Sequence, residues 1–96
     1  MERQEVYRRI DQERDYQDWR WDDGLREDRV LDEEKPPAEW LNYIKFQLEQ
    51  AEVSNYMLDK EETMNHIRKI AGLAVRAMEV HGCPERVIPT PPTNDN

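Results

Sequence analysis

The fold is decided by residues 59–82, which read DKEETMNHIRKIAGLAVRAMEVHG. Asp59, followed three positions later by Glu62, is typical of a capping box, in which two side chains satisfy each other's backbone N–H groups at a helix start. Gly82, with a proline two residues further on, is typical of a helix end, because proline cannot continue a helix. The sequence therefore predicts a helix that begins after Asp59 and ends at about His81.

Two apolar stripes run along this helix at steps of three and four residues, a spacing that places each stripe on one face. The main stripe consists of Met64, Ile67, Ala71, Ala74 and Met78, and the second consists of Ile70, Leu73, Ala77 and Val80. A helix with two apolar faces needs two neighbours to cover them. The pattern thus predicts more contacts than one partner helix supplies.

A second helix is predicted before it, from Pro37-Ala38-Glu39 to about Leu58. Proline suits the first helical position, and glutamate suits the positive end of the helix dipole. One apolar stripe of this helix is Leu41, Ile44, Leu48, Ala51 and Leu58, and the opposite one is Tyr43, Phe46, Val53 and Met57. Residues 38–82 are therefore predicted to form an antiparallel helix hairpin, covered by an N-terminal helix, by a second subunit or by both.

The remaining chain divides into three segments. Residues 1–21 indicate a charged N-terminal helix with few apolar residues. Residues 22–37 hold ten charged residues and end in two prolines, which predicts an acidic loop. Residues 83–96 are rich in proline and predict a flexible tail. The predicted fold class is all-α: an antiparallel helix hairpin plus an N-terminal helix.

The composition predicts association between copies. Apolar residues make up 36% of the 96-residue chain and charged residues 38%. A chain of this size buries only about 60–65% of the surface that it exposes when unfolded, so its core is small. Together with the doubly apolar helices, this predicts a homo-oligomer, either a dimer or a tetramer.

The net charge of −8 disfavours several partners. It repels phosphate backbones and anionic lipid, so we expect no generic DNA or RNA binding and no membrane binding. The single cysteine, Cys83, fits a reducing compartment. The sequence holds no apolar run typical of a signal peptide or a membrane span, and a cytoplasmic location is expected.

Three separated landmarks carry a resemblance to a known family. Residues 10–21 read IDQERDYQDWRW, Glu39-Trp40-Leu41 follows, and residues 67–82 read IRKIAGLAVRAMEVHG. In this order they resemble small phage-type members of the MazG-like, all-α nucleoside triphosphate pyrophosphohydrolases. The resemblance covers roughly residues 10–82. It implies an oligomeric helical bundle, a phage origin with action in the host cytoplasm, and a Mg²⁺ site formed by carboxylates of two adjacent helices.

The chain departs from that family at the metal ligands. Counted from Glu-Trp-Leu, the acidic positions implied by the resemblance fall on Phe46, Gln47 and Gln50, and those of the last helix fall near His66 and Lys69. None of these is a carboxylate, and a lysine repels a cation. This register predicts a catalytically degenerate protein with no catalytic residues and no cofactor.

A different register keeps an enzyme open as the alternative. Glu49 and Glu52 are spaced to point from one helix towards a common site, and Glu62 stands at the start of the next helix. Three carboxylates of this kind could serve as catalytic Mg²⁺ ligands. Against this, Lys45 is placed to pair with Glu49 on the surface, and Glu62 is already explained as a capping residue.

Basic and aromatic residues supply candidates for binding a nucleotide. They are Arg20, Trp21, Asn65, Lys69 and Arg76. Guanidinium and ammonium groups bind phosphate, and an indole can stack on a base. The competing interpretation is ion pairing on the surface, since acidic residues outnumber basic ones by 22 to 14.

Three functions follow as hypotheses. The first is a degenerate MazG-like protein that binds or sequesters a nucleotide, or serves in assembly, without hydrolysis. The second is a working Mg²⁺-dependent pyrophosphohydrolase. The third is a structural or protein-interaction module without a small-molecule ligand.

Overall fold

The structure is a computed structural model that describes residues 1–21 and 31–89, and within these ranges it is helical without strands. The three long helices are α1 (Arg3–Trp21), α2 (Pro37–Tyr56) and α3 (Lys60–His81), and a short 3₁₀ helix (Asp32–Glu34) precedes α2. The all-α prediction is confirmed. Residues 22–30 of the predicted acidic loop and residues 90–96 of the predicted tail lie outside the described residues. None of the described helices combines the length and apolarity needed to cross a bilayer.

The turn between α2 and α3 contains half of the predicted capping box. Asp59 caps α3, because its Oδ1 accepts a hydrogen bond from the Glu62 N–H at 3.0 Å. The reciprocal bond is absent: the Asp59 N–H donates to the Ser54 carbonyl, and the Glu62 carboxylate lies against Asn65 and His66. The prediction for Glu62 was wrong because the turn already satisfies the N–H group that it was expected to bind.

The end of α3 follows the sequence signal. Gly82 has a φ of 82°, which residues other than glycine adopt only at a cost in free energy. Its N–H donates a hydrogen bond to the Met78 carbonyl at 2.7 Å. This glycine closes the helix directly after His81.

Helices α2 and α3 pack against each other, but α2 is rotated relative to the predicted stripe. Trp40 and Ala51 are buried, whereas Leu41 and Leu48 are 64% and 48% exposed. The sequence assigned both leucines to one stripe with Ala51, and of these three only Ala51 is buried in the single chain. The indole of Trp40 covers more apolar area than a leucine side chain, and burying it turns both leucines away from α3.

In α3, too, the buried apolar residue lies outside the predicted main stripe. Leu73, from the second stripe, is buried, while Met64, Ile67 and Met78 of the main stripe are 51%, 43% and 42% exposed. Helix α1 does not cover the main stripe, because it packs on a different side of α3, at Gly72.

Helix α1 is held on α3 mainly by buried polar side chains. Glu13, Arg14 and Gln17 are its buried residues. Glu13 accepts a hydrogen bond from Arg68 at 2.8 Å, and Gln17 donates to the Lys69 carbonyl at 3.3 Å. Charge-assisted bonds of this kind let a helix with few apolar residues dock, because each buried polar group finds a partner.

We expect Gly72→Ala to lower the free energy of unfolding by about 1 kcal/mol. A Cβ at this position would lie 2.8 Å from Gln17 Nε2 and 2.9 Å from Glu13 Cγ. Overpacking costs about 1–3 kcal/mol, against a gain of about 1 kcal/mol in helix propensity. Urea denaturation measures the difference. In a Gln17→Ala background the same substitution should cost less, because only the contact with Glu13 remains, and an equal loss there would contradict this account.

Candidate functional site

A cleft opens where α1, the 3₁₀ helix, α2 and α3 meet. Its volume is about 370 Å³. The cations that line it are Arg14, Lys35 and Arg76, and the aromatic side chains are Trp21, Trp40 and Tyr43. Cations next to aromatic rings are a common arrangement in sites that bind anionic, planar ligands. The cleft is therefore the candidate binding site of the described chain.

Lys35 lies at the centre of the aromatic group. Its Nζ is 5.4 Å from the ring centroids of Trp21, Trp40 and Tyr43. The side chain is only 7% exposed, and Nζ donates to Asp32 Oδ1 at 2.9 Å. Within this distance an ammonium group is attracted to the ring faces, and more strongly when it is shielded from water. The chain thus fills an aromatic cage with its own lysine.

The backbone of Lys35 is fixed as well. Its N–H donates to the Asp32 carbonyl at 3.1 Å, which closes the 3₁₀ turn. Its carbonyl accepts a hydrogen bond from His81 Nε2 at 2.8 Å, at the end of α3. Residues 32–35, which the sequence assigned to an acidic loop, therefore pack against α3 and form one wall of the cleft.

Asp32 connects Lys35 to α3. Its second oxygen, Oδ2, accepts a hydrogen bond from Arg76 Nε at 2.9 Å. Partial burial acts to raise the pKa of the Asp32 carboxyl, but the hydrogen bonds from Lys35 and Arg76 outweigh it and hold this pKa below its ordinary value. The same hydrogen bond to Asp32 raises the pKa of Arg76. Asp32 is therefore ionised at neutral pH and occupies the position that a ligand anion would take.

Arg14, the third cation of the cleft, is also paired with carboxylates of the chain. Arg14 donates to Gln17 at 3.0 Å, to Asp18 at 2.7 Å and to Glu79 at 3.1 Å. Glu33 lies 3.6 Å from Arg76. An incoming anion must therefore replace carboxylates of the chain at these cations.

Trp40, which lines the cleft, has one polar group without a partner among the described residues. Its indole N–H is buried and meets no acceptor within the described part of the chain. The neighbouring Tyr43 ring packs edge-on against Trp40 at 5.8 Å, and its hydroxyl donates to Glu39 at 2.8 Å. Burial and this hydrogen bond raise the pKa of Tyr43 to about 12, so it stays a neutral donor. A buried donor without a partner costs free energy.

The cleft contains two of the five nucleotide-binding residues predicted from the sequence. Trp21 and Arg76 line it. Arg20 is exposed outside the lining, and Asn65 hydrogen-bonds Arg68 and Glu62 instead. Lys69 is half-buried and contributes its carbonyl to the contact with α1.

Sequence reasoning missed four residues that shape the cleft: Arg14, Lys35, Trp40 and Tyr43. Arg14 and Lys35 stand in highly charged segments, where nothing distinguishes a buried cation from a solvated one. Tyr43 was assigned to an apolar stripe and Trp40 to the Glu39-Trp40-Leu41 landmark. The only available signal was that both are aromatic and lie three residues apart.

The alternative catalytic carboxylates are not gathered into a metal site. Glu49 and Glu52 are exposed on α2, while Glu62 lies against His66 at 3.2 Å. Among the described residues, no three His, Cys, Asp or Glu side chains form a cluster that could hold a metal ion.

Comparison of the chain with protein-family models, with curated proteins and with solved structures gives no match.

Proposed function

We propose that this chain is a degenerate MazG-like protein that binds a nucleotide in the cleft without hydrolysing it. The observation that carries the proposal is a cleft that combines aromatic rings with cations. A ligand with a planar ring and negatively charged oxygens would use both features. As a phage-type protein of this kind, it would act in the host cytoplasm, sequestering its ligand.

One contact between α2 and α3 supports the MazG-like hairpin as part of this proposal. The resemblance implies that metal ligands of two adjacent helices converge, at positions that include Gln47 and His66. His66 Nδ1 lies 2.8 Å from Gln47 Oε1. The side chains of these two positions therefore contact each other between the helices. They form a hydrogen bond at positions where the resemblance implies Mg²⁺ ligands.

Binding would proceed by exchange of anions. Trp21 is 48% exposed at the mouth of the cleft and lies 6.2 Å from Tyr43, so its ring is available to stack on a base. Such stacking contributes about 1–3 kcal/mol per base. Phosphate oxygens would replace Asp32 as the hydrogen-bond acceptor of Arg76 and Glu33 as its ion-pair partner. The 3₁₀ segment would have to move outwards, because its carboxylates occupy the phosphate positions.

Calorimetric titration in the presence of a metal chelator tests the proposal. The panel contains nucleoside mono-, di- and triphosphates and cyclic dinucleotides. We expect at least one of them to bind without Mg²⁺, and Arg76→Gln to weaken that binding by about tenfold or more, the loss of one charge-assisted contact. Arg8→Gln removes an exposed arginine of α1 and serves as the matched control, which should bind like the parent chain.

Two results would contradict the proposal: no heat with any member of the panel, or equal binding by the Arg76→Gln variant while circular dichroism shows unchanged helix content. Release of pyrophosphate that requires Mg²⁺ and is lost in Glu52→Gln would instead support the hydrolase.

A second candidate function is an assembly module. It is favoured by the exposed apolar side chains of α2 and α3, which a folded monomer leaves in water. A dimer or tetramer is compatible with either candidate, so the oligomeric state alone does not separate them. Nucleotide binding does.

A further inference from the structure

The cage around the Lys35 ammonium has the geometry of a binding site for a small cation. We use the name cage for the rings of Trp21, Trp40 and Tyr43, each of which has its centroid 5.4 Å from Lys35 Nζ. Trp21 is the last residue of α1, and the other two rings come from the first two turns of α2. Two helices therefore place their aromatic side chains around one point.

The rings are inclined to one another, so they enclose this point and do not form a flat stack. Trp40 and Tyr43 pack at an angle of 89°, and Trp21 and Tyr43 at an angle of 40°. Aromatic rings around one cation are the arrangement by which proteins recognise quaternary ammonium groups. Asp32, whose Oδ1 lies 2.9 Å from Lys35 Nζ, adds the attraction of an opposite charge.

The distance from Lys35 Nζ to the rings is larger than an unsubstituted ammonium needs. Atoms in contact with a ring lie about 3.5–4.0 Å from it, so a bare ammonium has room to approach each ring more closely. A methyl group adds about 1.5 Å between the nitrogen and the ring. A methylated nitrogen therefore lies about 5.0–5.5 Å from a ring that its methyl groups contact. The observed 5.4 Å falls within that range.

We propose that the cage is a binding site for small quaternary ammonium compounds, and that the Lys35 side chain occupies it when such a ligand is absent. The bound nitrogen takes the position of Nζ, with its methyl groups against the three rings. This proposal does not rest on nucleotide binding, because the ligand's ammonium uses the rings and Asp32, whereas phosphates would use Arg76.

The charges around the cage favour a cation. The carboxylates of Asp18, Asp32 and Glu33 line the same cleft. A quaternary ammonium that replaces the Lys35 ammonium leaves the charge next to Asp32 unchanged, so this carboxylate keeps a counter-ion. The net charge of −8 also attracts a cation from solution. Electrostatics therefore support the exchange of one cation for another.

Only the side chain of Lys35 has to leave the cage. Its backbone is held by other bonds, since its N–H donates to the Asp32 carbonyl at 3.1 Å and its carbonyl accepts a hydrogen bond from His81 at 2.8 Å. Lysine has a flexible four-carbon stem, so the ammonium can turn into water while residues 32–35 stay in place. In water the ammonium regains hydrogen bonds for the one that it loses to Asp32.

The tethered lysine lowers the affinity for a free ligand and thereby selects it. A site that is open in only a fraction of the molecules has an apparent dissociation constant raised by the inverse of that fraction. A ligand must therefore bind the rings better than the Lys35 ammonium does. A quaternary ammonium meets this condition, because it has no N–H groups whose hydrogen bonds to water are lost on burial.

Proton NMR of the indole N–H groups tests the proposal in the full chain, with choline chloride as the probe. Trp21 and Trp40 belong to the cage. Trp19 is 73% exposed, packs on Tyr16 and serves as an internal control outside the cage. We expect choline to shift the Trp21 and Trp40 signals of the parent chain saturably and to leave the Trp19 signal unchanged. Sodium chloride at equal concentration controls for ionic strength.

Lys35→Ala removes the competing side chain. This variant should bind choline at least about tenfold more tightly than the parent chain, because the site is then always open. The uncharged analogue of choline, in which carbon replaces nitrogen, should bind the variant at least about tenfold more weakly than choline, because it fills the same space without the charge. In the Lys35→Ala background, Trp21→Leu should weaken choline binding, whereas Trp19→Leu should leave it unchanged.

Thermal unfolding gives a second measurement that does not require Lys35→Ala to be fully folded. A ligand that binds only the folded chain raises its stability. Choline chloride should therefore raise the midpoint of unfolding of Lys35→Ala above its value in an equal concentration of sodium chloride. The rise should be larger than that of the parent chain, in which Lys35 competes.

Any of four results would overturn the proposal. They are equal binding of choline and its uncharged analogue, equal shifts of Trp19 and the cage tryptophans, no saturable shift in the parent chain, and no effect of choline on the unfolding midpoint of Lys35→Ala. Failure of every nucleotide to bind would contradict the proposed function alone, and these expectations for choline would be unchanged.

Discussion

Replacement of Trp40 by alanine should lower the free energy of unfolding by about 3–5 kcal/mol, the usual cost of removing a large aromatic side chain from a core. Trp40 is 4% exposed, its ring packs against Tyr43, and the Lys35 ammonium lies 5.4 Å from its centroid. A small domain has a total stability of about 5–15 kcal/mol, so this loss leaves little of it. Urea denaturation followed by circular dichroism measures the change.

Trp19 provides the matched control for this prediction. It is the same residue type but 73% exposed on α1. Trp19→Ala should change the free energy of unfolding by no more than about 0.5 kcal/mol, as surface substitutions usually do. Equal losses in the two variants would show that Trp40 is not the packing centre of the three helices.

The second large effect is expected at Lys35. Lys35→Ala should lower the free energy of unfolding by about 3 kcal/mol. Removing one member of a buried ion pair costs about 3–5 kcal/mol, and the value falls at the lower end because Asp32 keeps its bond to Arg76. The attraction between the ammonium and the three rings adds to this loss.

Two further variants separate the causes. Lys35→Met also removes the ammonium but keeps an aliphatic stem in the cage, so it should lose less than Lys35→Ala by the contribution of that packing. Lys45→Ala removes an exposed lysine of α2 and should be close to neutral. If Lys35→Ala were as mild as Lys45→Ala, the cage would not contribute to holding residues 32–35 on the helices.

The helix boundaries were predictable because local chemistry sets them. Proline at the start of α2, Asp59 before α3 and Gly82 after it act within one turn of the chain. The face that each helix buries was less predictable. On α2, leucines and aromatic residues lie on neighbouring faces of the helix. Which of these faces is buried depends on the side chains of the helix that packs against it.

The binding cleft was predictable only in part. Trp21 and Arg76 were candidates because their residue types bind bases and phosphates. Arg14 and Lys35 were not, because the sequence does not show which of many charges loses its water. Burial of a charge depends on partners distant in the chain, such as Glu79 for Arg14 and Trp21 for Lys35.

The sequence by itself determined three helices, the start of α2 and both ends of α3, because caps and periodicity are properties of neighbouring residues. Only the tertiary structure decided that α1 docks through polar side chains at Gly72, that Lys35 fills an aromatic cage, and that the main apolar stripe of α3 faces outwards. These features arise from contacts between segments far apart in the chain. The free energy of such contacts depends on shape and on the removal of water, which no single segment specifies.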